Sequence, residues 1–346
     1  MEVPELNSTV CIIGLVGCIV GLYLMKQSGA VVSLKRSKHN LGPKGRATVI
    51  AHRGSRSEGL PENTISAFKD AILAGAHVVE LDVWLSRDGN VVVHHDKDFS
   101  RMCGTEFSQL IYETDYAAFP SIVPPANQTE RCSLYPKVEI HTIPLLSEVL
   151  SVIPLNIAVI IEFKQNSTKL IELVKKLVVQ FNRQNSIYWF SLDEKINCQL
   201  RNADTTIPSI TSVPNMMKTL LLYYTGLLPY YDLDDAVFGI TVDEITIERI
   251  RHEAALKALP DWIKQLLAVL FRGRPPTIMI APALFTHLRQ RGIPVWFLGV
   301  NNESDLQLAV QSGATAVLTD RVNWLCEQLE DTKRNKRTDF QSIVEE

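Results

Sequence analysis

The sequence has no excess of basic charge. Lysine and arginine total 35 against 38 aspartate and glutamate, a formal balance of −3. That excludes the strong positive field on which nucleic-acid binding depends. Cysteine is sparse and unpatterned. Cys11, Cys18, Cys103, Cys132, Cys198 and Cys326 form no C-x-x-C pair and no zinc spacing, so reduced, structural thiols are expected. No G-x-G-x-x-G or Walker loop occurs, which removes the usual cradle for a nucleotide. Charge is also missing locally. Residues 10–25 ("VCIIGLVGCIVGLYLM") and 219–231 ("TLLLYYTGLLPYY") carry no Asp, Glu, Lys or Arg.

The first of these runs is just under the ~17–25 residues of a membrane span. Gly14, Gly17 and Gly21 give it the small-residue spacing of a close helix contact. A cleaved signal peptide would need a basic start, but only Glu2 and Glu5 carry side-chain charge before it. The reading is a single-pass membrane anchor over residues 1–27. Lys26, Lys35, Arg36, Lys38, Lys44 and Arg46 follow. All but Lys26 fall in a basic linker over 28–46, and together they place that side in the cytosol by the positive-inside rule. A short anchor suits the relatively thin membrane of the endoplasmic reticulum.

Beyond the linker, nine apolar β-type runs alternate with helical patterns. The runs are 48–51, 78–85, 91–94, 157–163, 187–190, 207–210, 237–242, 295–300 and 316–319. Helical periodicity covers 64–74, 147–152, 168–182, 261–271, 283–291 and 304–311, with Gly75, Gly292 and Gly313 as C-terminal stops. Alternation of this kind predicts a parallel sheet with crossover helices, and about eight strands predict an α/β (β/α)8 TIM barrel over 47–330. Residues 98–142 interrupt the alternation after the second-strand region and read as an insertion. Residues 213–231 read as an apolar, membrane-facing segment at the reactive end of the barrel. Residues 331–346 form a polar tail.

In such a barrel, chemistry projects from the C-terminal ends of strands. The first run ends in His52-Arg53. The second carries Glu80 and Asp82 two apart, hence on one face. A third ends in His94-His95-Asp96, and the fourth places Glu162 and Lys164 on one face. Each alone has a bland explanation: an edge-strand carboxylate pair, a core histidine, an internal ion pair. Together they converge on one mouth. Three carboxylates without thiols suit one hard divalent cation, Mg²⁺ or Ca²⁺. Arg53 and Lys164 suit a phosphate, and two histidines suit general acid–base work. Metal-assisted phosphodiester cleavage uses all of these parts.

The motifs "HRG" (52–54), "PENT" (61–64), "ELDV" (80–83), "HHD" (94–96), "EFK" (162–164) and "GATAVLTD" (313–320) resemble the glycerophosphodiester phosphodiesterase family. With the N-terminal run and "YYTGLLPYY", the chain looks most like the animal membrane-bound members that act as lysophospholipase D. The resemblance implies a metal held by Glu80, Asp82 and Glu162, His52 and His95 as acid and base, and Arg53 and Lys164 on phosphate. It implies a nearby support role for Glu62 and a structural role for His94. Where the family usually has a "W-T-V-N"-like strand end, this chain has "VWFLGVN". Leu298 then stands at the family's Trp position, with Trp296 two residues earlier to fill the space. The expected substrates are lysophosphatidylcholine, lysophosphatidylethanolamine and N-acyl lyso forms, cleaved to lysophosphatidic acid and a free head group. The expected partners are that lipid and a membrane, with no nucleic acid. The rival readings are a hydrolase of water-soluble glycerophosphocholine-type diesters, a two-histidine phospholipase C-like barrel and a catalytically dead lipid-binding barrel.

Overall fold

The computed structural model describes residues 48–56, 60–123, 141–242 and 279–335. The expected anchor and linker, the expected tail from 336 onward, and the helical pattern at 261–271 lie outside the described residues, while 331–335 of that tail continue a helix. Among the described residues no helix is long and apolar enough to cross a membrane.

The chain runs β1 (Thr48–Ala51), α1 (Ile65–Leu73), β2 (Val78–Leu85), β3 (Val91–Val93), α2 (Ser100–Cys103), α3 (Leu146–Val152), β4 (Ala158–Phe163), α4 (Thr168–Gln180), β5 (Ile187–Phe190), α5 (Glu194–Ala203), α6 (Val213–Tyr224), β6 (Phe238–Thr241), α7 (Pro282–Gln290), β7 (Val295–Leu298), α8 (Glu303–Gln311), β8 (Ala316–Thr319) and α9 (Val322–Asn335). The sheet order is β5-β4-β2-β1-β8-β7-β6, every pair on that path being parallel. First and last strands are therefore neighbours. Two isolated parallel bridges, Trp189 to Ser209 and Ile210 to Val237, link the two ends of the path. The result is a curled, TIM-barrel-like parallel sheet wrapped by helices.

One run departs from the expected parallel set. β3 pairs antiparallel with β2. Only residues 86–90 separate the two strands, and a turn that short permits a hairpin but no crossover. The expected insertion follows this hairpin. Phe99, Met102, Cys103, Ile111 and Ile122, with the neighbouring Ile143, pack with Val92 into a separate small core, so the described part of the insertion, through 123, is a built element seated on β3.

The apolar residues divide into two layers. Alternate strand residues such as Ile50, Ile160, Tyr188 and Ile210 fill the interior of the curled sheet. The opposite faces meet the helices, as the two-residue period of strands requires. Trp296 belongs to the inner layer. It is 1% exposed and packs edge-to-face on Tyr188 at 5.3 Å. It therefore does not fill space at the mouth: a two-residue step moves a side chain one layer down the strand.

The segment expected to face a membrane is also placed differently. α6 carries Met216, Leu220 and Leu222 into the core, and Leu228 follows in a short 3-10 turn. Among its leucines only Leu221 is largely exposed, at 64%. α6 starts at the strand C-termini and runs back along the barrel. Its end is pinned there: Arg291, just before β7, donates to the carbonyls of Leu228 at 3.2 Å and Tyr231 at 2.8 Å. The greasy end of the segment thus lies towards the far end of the barrel from the strand C-termini, because a crossover helix must return the chain to the start of the next strand.

Candidate active site

The first strand delivers His52 and Arg53 through a strained turn. Arg53 has φ 55° and Gly54 has φ 83°, the left-handed region that costs a non-glycine residue energy. A Cβ at Gly54 would lie 2.7 Å from the Ala67 carbonyl carbon, so only glycine lets the turn press against α1. Asn63, also left-handed at φ 59°, donates its backbone N–H to the Arg53 carbonyl at 2.9 Å. Thr64 caps α1 by accepting from the Ala67 N–H. The "HRG" and "PENT" motifs are thus two halves of one clamp.

β2 and β4 deliver the carboxylates. Asp82 and Glu162 are register partners across this pair. Glu80, Asp82 and Glu162 are all buried, with one oxygen each lying within 4.8 Å of the others. Burial and the two neighbouring carboxylates push the Glu80 carboxyl well above its ordinary range. Among the described residues its Oε1 has no hydrogen-bond partner, while Oε2 accepts from the Arg53 backbone N–H at 3.0 Å. For Asp82, burial again opposes ionisation, but Lys164, Arg53 and His95 nearby and the Asn63 amide hold its pKa below the usual range. Asn63 Nδ2 donates to Asp82 Oδ2 at 2.8 Å. An orphaned buried carboxylate oxygen within an all-oxygen triad fits a hard divalent cation.

The cations lie on these acids. Lys164 Nζ is 2.6 Å from Glu162 Oε1 and 3.0 Å from Asp82 Oδ1. Arg53 reaches Asp82 at 3.3 Å and Glu62 at 3.0 Å. Both also line the cavity, where an anion could meet them. Glu62 is buried, and burial opposes its charge. Arg101, Arg53 and Arg56 nevertheless hold its pKa down to about 2. Its placement against three arginines, and not among the triad, agrees with a support role.

Each histidine of the expected pair is held by a carboxylate. His52 Nδ1 lies 2.7 Å from Asp320 Oδ1, and His95 Nδ1 lies 2.7 Å from Asp96 Oδ1. A carboxylate on Nδ1 fixes the ring and leaves Nε2 free for proton transfer. Asn301 braces Asp320, donating to Oδ2 at 2.8 Å and accepting its backbone N–H at 2.8 Å. Against the cost of burial, the bonds from His52 and Asn301 and the Arg56 charge hold Asp320 at a pKa of about 2. His94 faces away, buried, with Nε2 on the Asp98 carbonyl at 3.1 Å.

A cavity of about 440 Å³ opens at these strand ends. One wall is polar: His52, Arg53, Glu80, His95, Glu162 and Lys164. The other is apolar: Phe190, Leu192, Ile210, Val213, Met216 and Leu298. All seven residues assigned chemistry from the sequence thus meet at or beside one cavity. Sequence reasoning gave no role to Asp96, Asp320, Asn63, Asn301 or Arg101. The first four stood within quoted stretches, Asn301 closing "VWFLGVN", and could have been suspected there. Nothing local pointed to Arg101.

A curled parallel barrel with a buried acidic triad, two braced histidines and two cations at its strand ends defines a phosphodiester hydrolase. The sequence model of the glycerophosphoryl diester phosphodiesterase family matches residues 52–324, and the chain belongs to that family. It is 30% identical over 275 residues to lysophospholipase D GDPD1 of Homo sapiens, covering 78% of this chain and 82% of that protein. It is 29% identical over 280 residues to lysophospholipase D GDPD3 of Mus musculus, covering 79% and 78%. Among solved structures, a glycerophosphodiester phosphodiesterase from Thermotoga maritima shares the fold with a TM-score of 0.53 at 19% identity, covering 82% of this chain and 98% of that one. A phosphodiesterase of Oleispira antarctica, solved with its product sn-glycerol-3-phosphate, does so with 0.56 at 20%, covering 82% and 96%.

Proposed function

We propose that this protein is a lysophospholipase D, releasing the head-group alcohol of a lysoglycerophospholipid and leaving lysophosphatidic acid. The observation that carries this reading is the two-sided cavity. A phosphodiester has its place on the polar wall, and the apolar wall opposite offers water exclusion to an acyl chain, worth roughly 25 cal/mol per Å² buried. The names of the two relatives at about 30% identity point the same way.

Glu80, Asp82 and Glu162 would hold the divalent ion, Mg²⁺ or Ca²⁺, which supplies Lewis-acid stabilisation of charge developing on oxygen. Arg53 and Lys164 bind the phosphate oxygens and orient the diester. The glycerol hydroxyl next to the ester attacks phosphorus: its oxygen forms a bond to phosphorus as the bond to the head-group oxygen breaks. One imidazole Nε2 takes the hydroxyl proton and the other gives a proton to the leaving oxygen. Water then opens the cyclic phosphate with the proton roles reversed. Asp320 and Asp96 keep both rings in position throughout.

The matching test compares substrates. Purified protein with lysophosphatidylcholine and Mg²⁺ or Ca²⁺ should release choline; phosphocholine, or no product, would sink the reading. Val213→Asp places a charge on the apolar wall at the first position of α6, where an acidic residue suits the helix. Lysophosphatidylcholine turnover should fall about tenfold or more, a cost of ~1.4 kcal/mol, with glycerophosphocholine turnover nearly unchanged. Equal losses on both would remove the acyl chain from that wall. Residues 1–27 complete the proposal as a single-pass anchor that keeps the barrel on the cytosolic side of the endoplasmic reticulum. Protection of the barrel from protease added outside sealed microsomes would refute that orientation.

A further inference from the structure

We infer that Arg101 is a positioning residue for His95, carried into the active site by the insertion. Arg101 sits on α2, a single helical turn whose other residues fix it. Met102 and Cys103 are buried in the insertion's own core with Phe99 and Ile111. Arg101, 46% exposed, is left to line the cavity.

Its guanidinium spans the site. Nε donates to Asp96 Oδ2 at 2.5 Å, while Asp96 Oδ1 holds His95 Nδ1 at 2.7 Å. Nη2 donates to Glu62 Oε1 at 2.6 Å, and the same oxygen accepts from Arg53 Nη1 at 3.0 Å. One planar fork therefore ties the loop after β1 to the loop after β3. Asp96 is itself partly exposed and, without the fork, has His95 alone to keep it in place among the side chains it pairs with. Arg101 supplies the second bond that stops the carboxylate turning, and so sets where His95 Nε2 points. A lysine has the charge but not the fork, and can serve one carboxylate at a time. Arg101 bonds neither histidine of the pair; it acts through Asp96.

The inference rests on the phosphodiesterase chemistry alone, so lysophosphatidylcholine and glycerophosphocholine serve equally as probes. Each is followed with Mg²⁺ at high enzyme concentration, so that slow variants give measurable single turnovers. Arg101→Ala should lower kcat about 10–100-fold, the usual loss when a residue orienting a functional group is removed. KM should change far less, the melting temperature little, and Arg101→Lys should recover part of kcat. In a His95→Ala background the Arg101→Ala change should cost almost nothing more, because the group it positions is gone. Two outcomes would overturn the inference: an undiminished loss in the His95→Ala background, or a loss in which kcat and melting temperature fall together without rescue by lysine. If only one of the two substrates is turned over, the substrate reading is decided separately and the Arg101 cycle is read on the substrate that is cleaved.

Discussion

His52 and His95 come from different loops yet are held alike, each by a carboxylate on Nδ1. A neutral amide in that place cannot enforce the same tautomer or steady an imidazolium. Asp320→Asn should therefore lower kcat by roughly 10²–10⁴-fold, the usual worth of acid–base catalysis. Steady-state kinetics on any cleaved diester would show it, and an unchanged kcat would remove His52 from proton transfer. The same residue makes a claim about acid stability. Asp320 falls from its ordinary 3.8 to about 2 and Glu62 from 4.5 to about 2. Folded pKa values below unfolded ones mean stabilisation that is complete above about 4.5 and lost as pH falls towards 2. Denaturant titrations across that window should show a steep decline in the wild type and a shallower one in Glu62→Gln. At this scale the sequence was informative where strand period alone sets geometry. Glu80 with Asp82, and Glu162 with Lys164, had to share faces. Arg101 was illegible, and so was the pairing of Asn301 with Asp320, though both of those stand in quoted stretches, because such partners are set by tertiary packing across the chain.

At the scale of elements, β1, β2, β5 and β8 were readable to the residue, since their apolar runs are bounded by turn residues. β3 was readable as a strand but not in its direction, which depends on loop length and not on the run itself. α5 and α9 were missed because both are rich in polar residues. α6 was read as wholly membrane-facing because lack of charge does not distinguish a lipid face from a core face, and the helix has both an inward face with Leu220 and Leu222 and an outward one with Leu221 and Tyr224. Its burial pattern now separates neighbours. Leu222→Ala should destabilise by about 2–5 kcal/mol, whereas Leu221→Ser should stay within about 0.5 kcal/mol. Thermal unfolding of the two variants decides it, and similar shifts would mean that the helix is not packed as described.

For the molecule as a whole, the site and the fold pull in opposite directions. Three buried carboxylates crowd one place, and Glu80 keeps an oxygen with no partner among the described residues. Two positive side chains offset part of that repulsion and a divalent ion would offset the rest. Chelator should lower the wild-type melting temperature. Glu80→Gln should remove activity, abolish the chelator's effect, and melt no lower than chelated wild type, since it removes a buried like charge. A Glu80→Gln protein that melts well below chelated wild type would show that Glu80 is structurally supported without a cation.

β1 lies beside β8, and His52 meets its carboxylate 268 positions further along the chain. A ribosome adding about 5–20 residues per second takes on the order of tens of seconds to cover that distance. From Glu162 onward the nascent protein already carries His52, Arg53 and the whole acidic triad, but His52 lacks its brace and β1 lacks one neighbour. The nascent enzyme thus holds its chemical groups before His52 is braced, and that brace arrives only with the final strand.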